Sequence, residues 1–302
     1  MNSGEIASEL RRGDRLALSK AITIAENSPE DASRLMLKIG TPGKAFVIGV
    51  TGPPGAGKSS VVDRLIGAYR KRGLKVGVIA VDPTSPITGG ALLGDRIRMN
   101  EHAGDAGVFI RSMAARGWSG GLSRATSSAI RLMDAAGLDV ILLETVGIGQ
   151  SDIEVVGVAH AVLVVLMPGV GDDIQVSKAG LMEVGDVYLV NKSDLEGADG
   201  MVATLLGVFR GARRTPSVLK ASAMTGQGME ELSAVLEEFR SKFSLGDRGM
   251  RLRSVKGMII ETARAKAMTQ LSAKSKVRGD ELAARVLGGK MTIESAALKL
   301  SR

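Results

Sequence analysis

V-I-G-V-T-G-P-P-G-A-G-K-S-S, residues 47–60, joins an apolar run to a glycine-rich turn and then to a helical pattern. The fixed positions are Gly52-x-x-x-x-Gly57-Lys58-Ser59, and the order strand, glycine turn, helix start is the context a phosphate-binding loop requires. Gly52, Gly55 and Gly57 let successive backbone N–H groups turn onto a phosphate with no Cβ in the way, and Pro53, Pro54 and Ala56 complete the loop. The helix that follows adds the positive end of its dipole. Lys58 supplies a cation for the β- and γ-phosphates, the Ser59 hydroxyl is a ligand for Mg²⁺, and Ser60 completes the turn into the helix. A nucleoside triphosphate bound with magnesium is the expectation.

The rest of the 302-residue chain fits that module. Aromatic residues make up only 3% of a 44% hydrophobic composition, so the core is built from Val, Ile, Leu, Ala and Met, as suits a parallel sheet buried between helices. There is no cysteine, which excludes disulfides, thiolate metal sites and a Cys nucleophile. The only histidines are His102 and His160, too few for a His-rich metal tract. The N-terminus carries Glu5, Glu9, Arg11 and Arg12 around no apolar core, unlike a signal peptide. The longest uncharged run, Val155–Gly171, is shorter than the ~20 residues of a membrane span. A soluble, cytoplasmic protein without a membrane partner is expected.

Short apolar runs at 46–51, 76–81, 108–110, 140–143, 161–167 and 187–190 read as buried strands. Helical patterns fall near 58–72, 121–136, 174–184, 200–213 and 228–242. This alternation predicts an α/β fold of the P-loop NTPase type, a doubly wound, mostly parallel sheet with its ligand site at the carboxyl ends of the strands. Residues 1–44 read as a helical N-terminal extension, with Ser28-Pro29-Glu30-Asp31 starting its second helix. Residues 45–243 form the nucleotide domain, and 244–302 a basic helical region. Within that last region 244–252 reads as a linker, and 254–273 and 278–300 as helices. The formal charge of +8 is concentrated there: 240–302 carry a net +10, leaving −2 elsewhere.

The residues that carry chemistry fall just after strands. Val140–Leu143 ends in Glu144-Thr-Val-Gly147, where the acid can hold Mg²⁺ and the Gly147 N–H can approach the γ-phosphate. Tyr188–Val190 ends in Asn191-Lys192-Ser193-Asp194. Its Asp194 carboxylate accepts from the guanine N1–H and amine, Asn191 braces the loop and the Lys192 stem covers the base. Adenine offers no such donors, so this pattern selects GTP over ATP. Ser222-Ala223 then makes a turn suited to donating a backbone N–H to the guanine carbonyl, with Met224 beside it. After the second strand, Asp82-Pro-Thr-Ser-Pro86, Thr88-Gly-Gly90 and Gly94-Asp95-Arg96-Ile-Arg98 form a polar stretch where a switch loop belongs. There Asp82 or Asp95 can join the magnesium shell or orient the attacking water, and Arg96 or Arg98 can offset transition-state charge. The catalytic candidates are thus Lys58, Asp82, Asp95 and Glu144, and the metal ligands Ser59, Asp95 and Glu144.

Taken together, G-P-P-G-A-G-K-S (52–59), V-D-P-T-S-P (81–86), T-G-G-A-L-L-G-D-R (88–96), E-T-V-G-I-G-Q-S (144–151), G-D-D-I-Q (171–175) and N-K-S-D (191–194) closely resemble the MeaB/ArgK family. The resemblance spans about 5–240 and implies a GTPase that binds GTP and GDP with Mg²⁺. It implies a partner, an adenosylcobalamin-dependent acyl-CoA mutase of the methylmalonyl-CoA mutase type, whose cofactor loading and protection the GTPase assists. It also implies a homodimer formed through the C-terminal region, and a second switch over Gly169–Gln175 that faces the mutase. Two positions depart from the pattern: Ser60 stands where Thr is frequent, and Met224 where Lys is often found beside the base. The family's older label, an arginine/ornithine transport ATPase or kinase, fits Asn191–Asp194 poorly.

Two other readings compete. A nickel-insertion accessory GTPase shares the fold class, but no Cys and two His leave it few metal-handling side chains. A nucleic-acid-associated GTPase would use the basic tail, yet Phe243 is the tail's sole aromatic and no RNA or DNA motif is present.

Overall fold

The computed structural model describes residues 2–40, 43–82, 102, 104–114, 124–145, 157–169, 181–211 and 215–301. Seven strands form one sheet: β1 (Phe46–Thr51), β2 (Val76–Asp82), β3 (Val108–Ala114), β4 (Val140–Glu144), β5 (Ala161–Leu166), β6 (Val187–Val190) and β7 (Ser217–Lys220). Their order is β3-β2-β4-β1-β5-β6-β7, and every neighbouring pair is parallel. Strands β1, β4, β5 and β6 are buried at every position, which is why they read as unbroken apolar runs rather than alternating ones. The seventh strand, Ser217–Lys220, goes beyond the six apolar runs; at the sheet edge it is only half-buried, so its sequence carries no such run.

Register decides where the chemistry goes. Val50 of β1 pairs with Glu144 of β4, and Ala80 of β2 pairs with the same Glu144. The Thr145 N–H continues the ladder onto the Val50 carbonyl at 3.1 Å. The carboxyl ends of β1, β2 and β4 therefore finish side by side, and the loop after β1 meets the acid after β4.

Helix α4 (Lys58–Lys71) follows the loop and buries Val61, Val62, Leu65, Ile66 and Tyr69 against the sheet, one stripe of an amphipathic helix. Three helices precede the sheet: α1 (Ser3–Arg11), α2 (Arg15–Asn27) and α3 (Pro29–Ile39). They pack on one another and on α5 (Arg124–Ala135). The additional break, at Arg12-Gly13-Asp14, has a local cause: Gly13 takes φ +80° and the Asp14 carboxylate caps α2 by accepting from the Ala17 N–H at 2.6 Å. The Asp134 carboxylate of α5 accepts from the Lys44 and Ala45 N–H groups at 2.9 and 3.0 Å, and from that of Gly43, fixing the approach to β1.

Beside β7 are α6 (Ala198–Val208) and α7 (Met229–Ser244), the latter also packed on α4. Of the helix expected at 174–184, the described part is a short 3₁₀ turn, Leu181–Glu183. Phe243 of α7 meets the His160 ring at 4.1 Å and the Phe46 ring at 5.7 Å. The interval expected as a linker from 244 to 252 is shorter than that: Asp247 caps a new helix, α8 (Arg248–Leu287), accepting from the Met250 N–H at 2.9 Å.

The chain divides into two compact units, 1–257 and 258–302. In the first, the start of α8 is fastened to the residues before β5. Arg253 donates to the His160 carbonyl and the Ser254 hydroxyl to that of Val158, both at 2.8 Å. Gly257 lies so close to Gly157 that a Cβ would stand 1.7 Å from the Gly157 oxygen. In the second, α8 continues unbroken through 274–278, where two helices were expected, because Ser272–Lys276 contains no glycine or proline to stop it. It ends at Gly288-Gly289, and Thr292 caps α9 (Ile293–Ser301). Val277, Leu287, Ile293 and Leu298 of this unit are exposed apolar side chains.

Candidate nucleotide site

The loop between β1 and α4 has the backbone its glycines allow. Gly52 has φ +138°, and a Cβ there would lie 1.9 Å from the Val165 carbonyl oxygen of β5. Gly57 has φ +87°, and a Cβ there would lie 2.4 Å from Asn191 Nδ2. Both positions need glycine for conformation and for space. Pro54 and Gly55 are exposed at the loop's crest, Pro53 is half-buried and Ala56 is buried beneath. The Lys58 ammonium is folded back over the loop, donating to the Gly52 and Pro53 carbonyls at 2.9 and 3.1 Å. A phosphate seated on the loop offers that ammonium charged acceptors in exchange for neutral carbonyls, which strengthens each hydrogen bond.

Ser59, in the first turn of α4, donates its hydroxyl to Glu144 Oε1 at 2.7 Å, and both side chains are buried. The sheet register created this contact by setting Glu144 level with Val50. Hydroxyl and carboxylate are hard oxygen donors, the kind Mg²⁺ takes together with phosphate oxygens and water. Among the described residues no cluster of three or more His, Cys, Asp or Glu could hold a metal ion alone. The pair therefore fits an ion whose remaining ligands come from a nucleotide and solvent.

The base end is assembled from β6 and β7. Asn191, immediately after β6, is 2% exposed and joins three segments. Its Nδ2 donates to the Ala56 carbonyl at 2.8 Å and its Oδ1 accepts from the Ala223 N–H at 3.0 Å, while its own N–H reaches the Leu166 carbonyl at 2.8 Å. Lys192 then adopts φ +58°, unusual for a residue with a side chain, and the loop is held in place by the Ser193 N–H donating to the Ala221 carbonyl at 3.0 Å. The Ser222 hydroxyl, then Asp194's own N–H, then the Lys192 charge hold the Asp194 carboxyl below the usual carboxylate range. Asp194 is thus an ionised acceptor at neutral pH, as a guanine N1–H and amine require.

A cleft of about 760 Å³ runs along these groups, lined by Gly57, Ser59, Ser60, Asn191, Lys192, Asp194 and the Ser222–Met224 turn. The structure thus brings together the loop, Glu144, the 191–194 loop and the 222–224 turn. Asp82 is the last residue of β2, its backbone at the same sheet edge. Asp95 and Gly147 lie outside the described residues, as do Arg96, Arg98 and the stretch from 170 to 175. Sequence reasoning passed over two further cleft residues on α4. Asp63 Oδ1 lies 3.3 Å from His102 Nε2. Arg64 donates through Nε to the Ala223 carbonyl at 2.7 Å and through Nη2 to that of Met224 at 2.9 Å. Neither residue belongs to a nucleotide motif, and no spacing rule would have singled them out.

Comparison with known proteins agrees with this geometry. The model of the methylmalonyl-CoA mutase-associated GTPase MeaB matches residues 18–279. A putative GTPase of Pyrococcus abyssi is 49% identical over 244 residues, covering 78% of this chain and 75% of its own length. The GTPase ArgK of Escherichia coli is 37% identical over 257 residues, covering 81% of this chain and 78% of its own. A crystal structure described as a LAO/AO transport system kinase superposes with a TM-score of 0.72 at 25% identity, over 99% of this chain and 96% of that one. The loop at 52–59, the Glu144 edge and the 191–194 loop therefore have one explanation: the chain belongs to the MeaB/ArgK family of GTP-hydrolysing, guanine-nucleotide-binding P-loop proteins.

Proposed function

We propose that this chain is a magnesium-dependent, cytoplasmic GTPase switch that assists an adenosylcobalamin-dependent acyl-CoA mutase in cofactor loading and protection, working as a homodimer. The observation that carries the GTPase half is Asn191, which ties the phosphate loop to the 222–224 turn and sets the ionised Asp194 at the base end of one cleft. Support for the mutase half is the family itself, described by its association with methylmalonyl-CoA mutase. The exposed apolar residues Val277, Leu287, Ile293 and Leu298 give a second copy a surface to cover.

In this reading the β- and γ-phosphates lie on the 52–59 loop. Lys58 leaves the Gly52 and Pro53 carbonyls for phosphate oxygens, offsetting negative charge that moves towards the leaving group during in-line attack by water. Ser59 and Glu144 would hold Mg²⁺, which would supply positive charge to offset that of the phosphates. Asp82, Asp95 and the Gly147 N–H are assigned by their places in the sequence, Asp82 at the end of β2, Asp95 beyond it and Gly147 beyond β4: the acids to the magnesium shell or the attacking water, the amide to the γ-phosphate. Asp194 reads the N1–H and amine of guanine and Lys192 covers its face. The domain assignment follows the same division of labour, with 45–243 the GTPase, 1–44 a helical extension and 244–302 the dimerisation arm.

Nickel insertion is less well supported, because one of the two histidines is spent on the core. His160 is buried against Phe46 and Phe243, and its Nδ1 accepts from the Val47 N–H at 2.9 Å. The deciding experiment is GTP turnover with and without a cobalamin-dependent mutase from the same source. A mutase-dependent change in turnover, with co-elution of the two proteins, is expected; no change and no complex would refute the mutase assignment.

A further inference from the structure

Arg64 carries no role in the reading above, yet it grips the turn that meets the base. Its two hydrogen bonds, at 2.7 and 2.9 Å, end on the carbonyls of Ala223 and Met224, and its side chain lines the same cleft as Asp194. The amides of the turn are also mostly spoken for. The Ala223 N–H goes to Asn191 Oδ1 at 3.0 Å, and the Thr225 N–H to Ser222 Oγ at 3.3 Å. Among the described residues the Met224 N–H has no hydrogen-bond partner within the protein. In a trans peptide the N–H points opposite to the carbonyl of the same unit, and no cis bond occurs here. Anchoring the Ala223 carbonyl on Arg64 therefore fixes the direction of the Met224 N–H.

We propose that Arg64 is a positioning residue for guanine recognition: by holding the Ala223 and Met224 carbonyls it presents the Met224 N–H to the O6 carbonyl of the base. The proposal rests on the guanine reading of the site. It places on α4 the cation that the sequence lacks at 224, where Met224 is 84% exposed. It also says which amide of the turn serves O6: the Ala223 N–H is taken by Asn191, and the Met224 N–H is the one presented. A guanidinium suits this work because its planar fork can hold two carbonyls of one turn at once, which an ammonium cannot match.

The test compares binding of three nucleotides to the full-length wild type and to Arg64→Ala. GTP carries both base edges; inosine triphosphate lacks the 2-amine that Asp194 reads; 2-aminopurine riboside triphosphate lacks O6 and, with it, the N1–H. Removing two hydrogen bonds to a charged group is expected to weaken GTP and inosine triphosphate by a similar factor, roughly tenfold. The O6-lacking nucleotide, with no contact to lose, should change less than about threefold. Arg64→Lys, which retains charge and one donor, should lie between. Equal losses for all three nucleotides would show a merely structural role and overturn the proposal, as would unchanged GTP binding or a Lys variant no better than Ala. If instead the wild type binds 2-aminopurine riboside triphosphate and ATP as tightly as GTP, the guanine reading itself falls. Arg64 is exposed, so the variants should fold, which circular dichroism checks.

Discussion

Acid should loosen this fold through one buried imidazole. His160 packs against the rings of Phe46 and Phe243 and accepts a hydrogen bond from the Val47 N–H through Nδ1, an arrangement that needs Nδ1 unprotonated. Burial, followed by the charges of Arg253 and Arg251, pushes its pKa down from 6.5 to about 4. With the folded value depressed, the unfolded chain binds the proton first as pH falls below about 6.5, and each step of protonation favours unfolding until the folded ring also titrates near 4. Between those limits stability rises with pH. At pH 5 the two values correspond to a loss of about 2 kcal/mol relative to neutral pH. For a body of this size that is about 4–8 °C in melting temperature. Other groups also titrate over this range, so the informative quantity is a difference between proteins. His160→Asn keeps an acceptor for the Val47 N–H and removes the titrating ring. The variant should be less stable at pH 7.5, having lost the ring stacking, but its further drop between pH 7.5 and pH 5 should be smaller than the wild type's by about 2 kcal/mol. Equal drops in the two proteins, by chemical or thermal denaturation, would refute the argument.

Two further outcomes follow from the nucleotide site. Asp194→Asn replaces an acceptor with a group that can also donate, and should shift preference from guanosine to xanthosine triphosphate; competition binding of the two nucleotides measures this. Gly57→Ala puts a methyl group 2.4 Å from Asn191 Nδ2 at a backbone angle of φ +87°. It should cost ~1–3 kcal/mol in backbone conformation alone, lower the melting temperature without nucleotide, and weaken GTP binding; a variant matching the wild type in both would contradict the stated geometry.

The centre of the sheet was legible because β1, β4, β5 and β6 are buried at every position, so each appears as an almost uninterrupted apolar run bounded by turn residues. The edge strand Ser217–Lys220 is only half-buried and has four residues, and its signal is correspondingly small. Helix boundaries were legible where a cap or glycine marked them, as at Ser28 and Gly40, and not inside Ser272–Lys276, where nothing interrupts the helix. At the site, Gly52, Gly57 and Lys58 could be read from spacing because phosphate chemistry fixes their order within one turn. The Ser59–Glu144 contact spans 85 residues of sequence, and reading it needed the expectation that both follow adjacent strands. Arg64 and Asp63 could not be read at all. Their roles arise from which face of α4 meets the 222–224 turn and His102, a fact of packing rather than of spacing.

Asn191 has a consequence that reaches past the static site. One side-chain amide serves the phosphate loop with its nitrogen and the base turn with its oxygen, so the two halves of the cleft share one support. The two halves of a guanine nucleotide should therefore bind with an affinity that is not the product of their separate affinities. Occupying the phosphate end should restrain the turn that waits for the base. The same sharing constrains heredity as well as energetics: a lineage cannot exchange guanine for another base by altering the 222–224 turn alone, because a change there that displaces the amide is also felt where the phosphates sit.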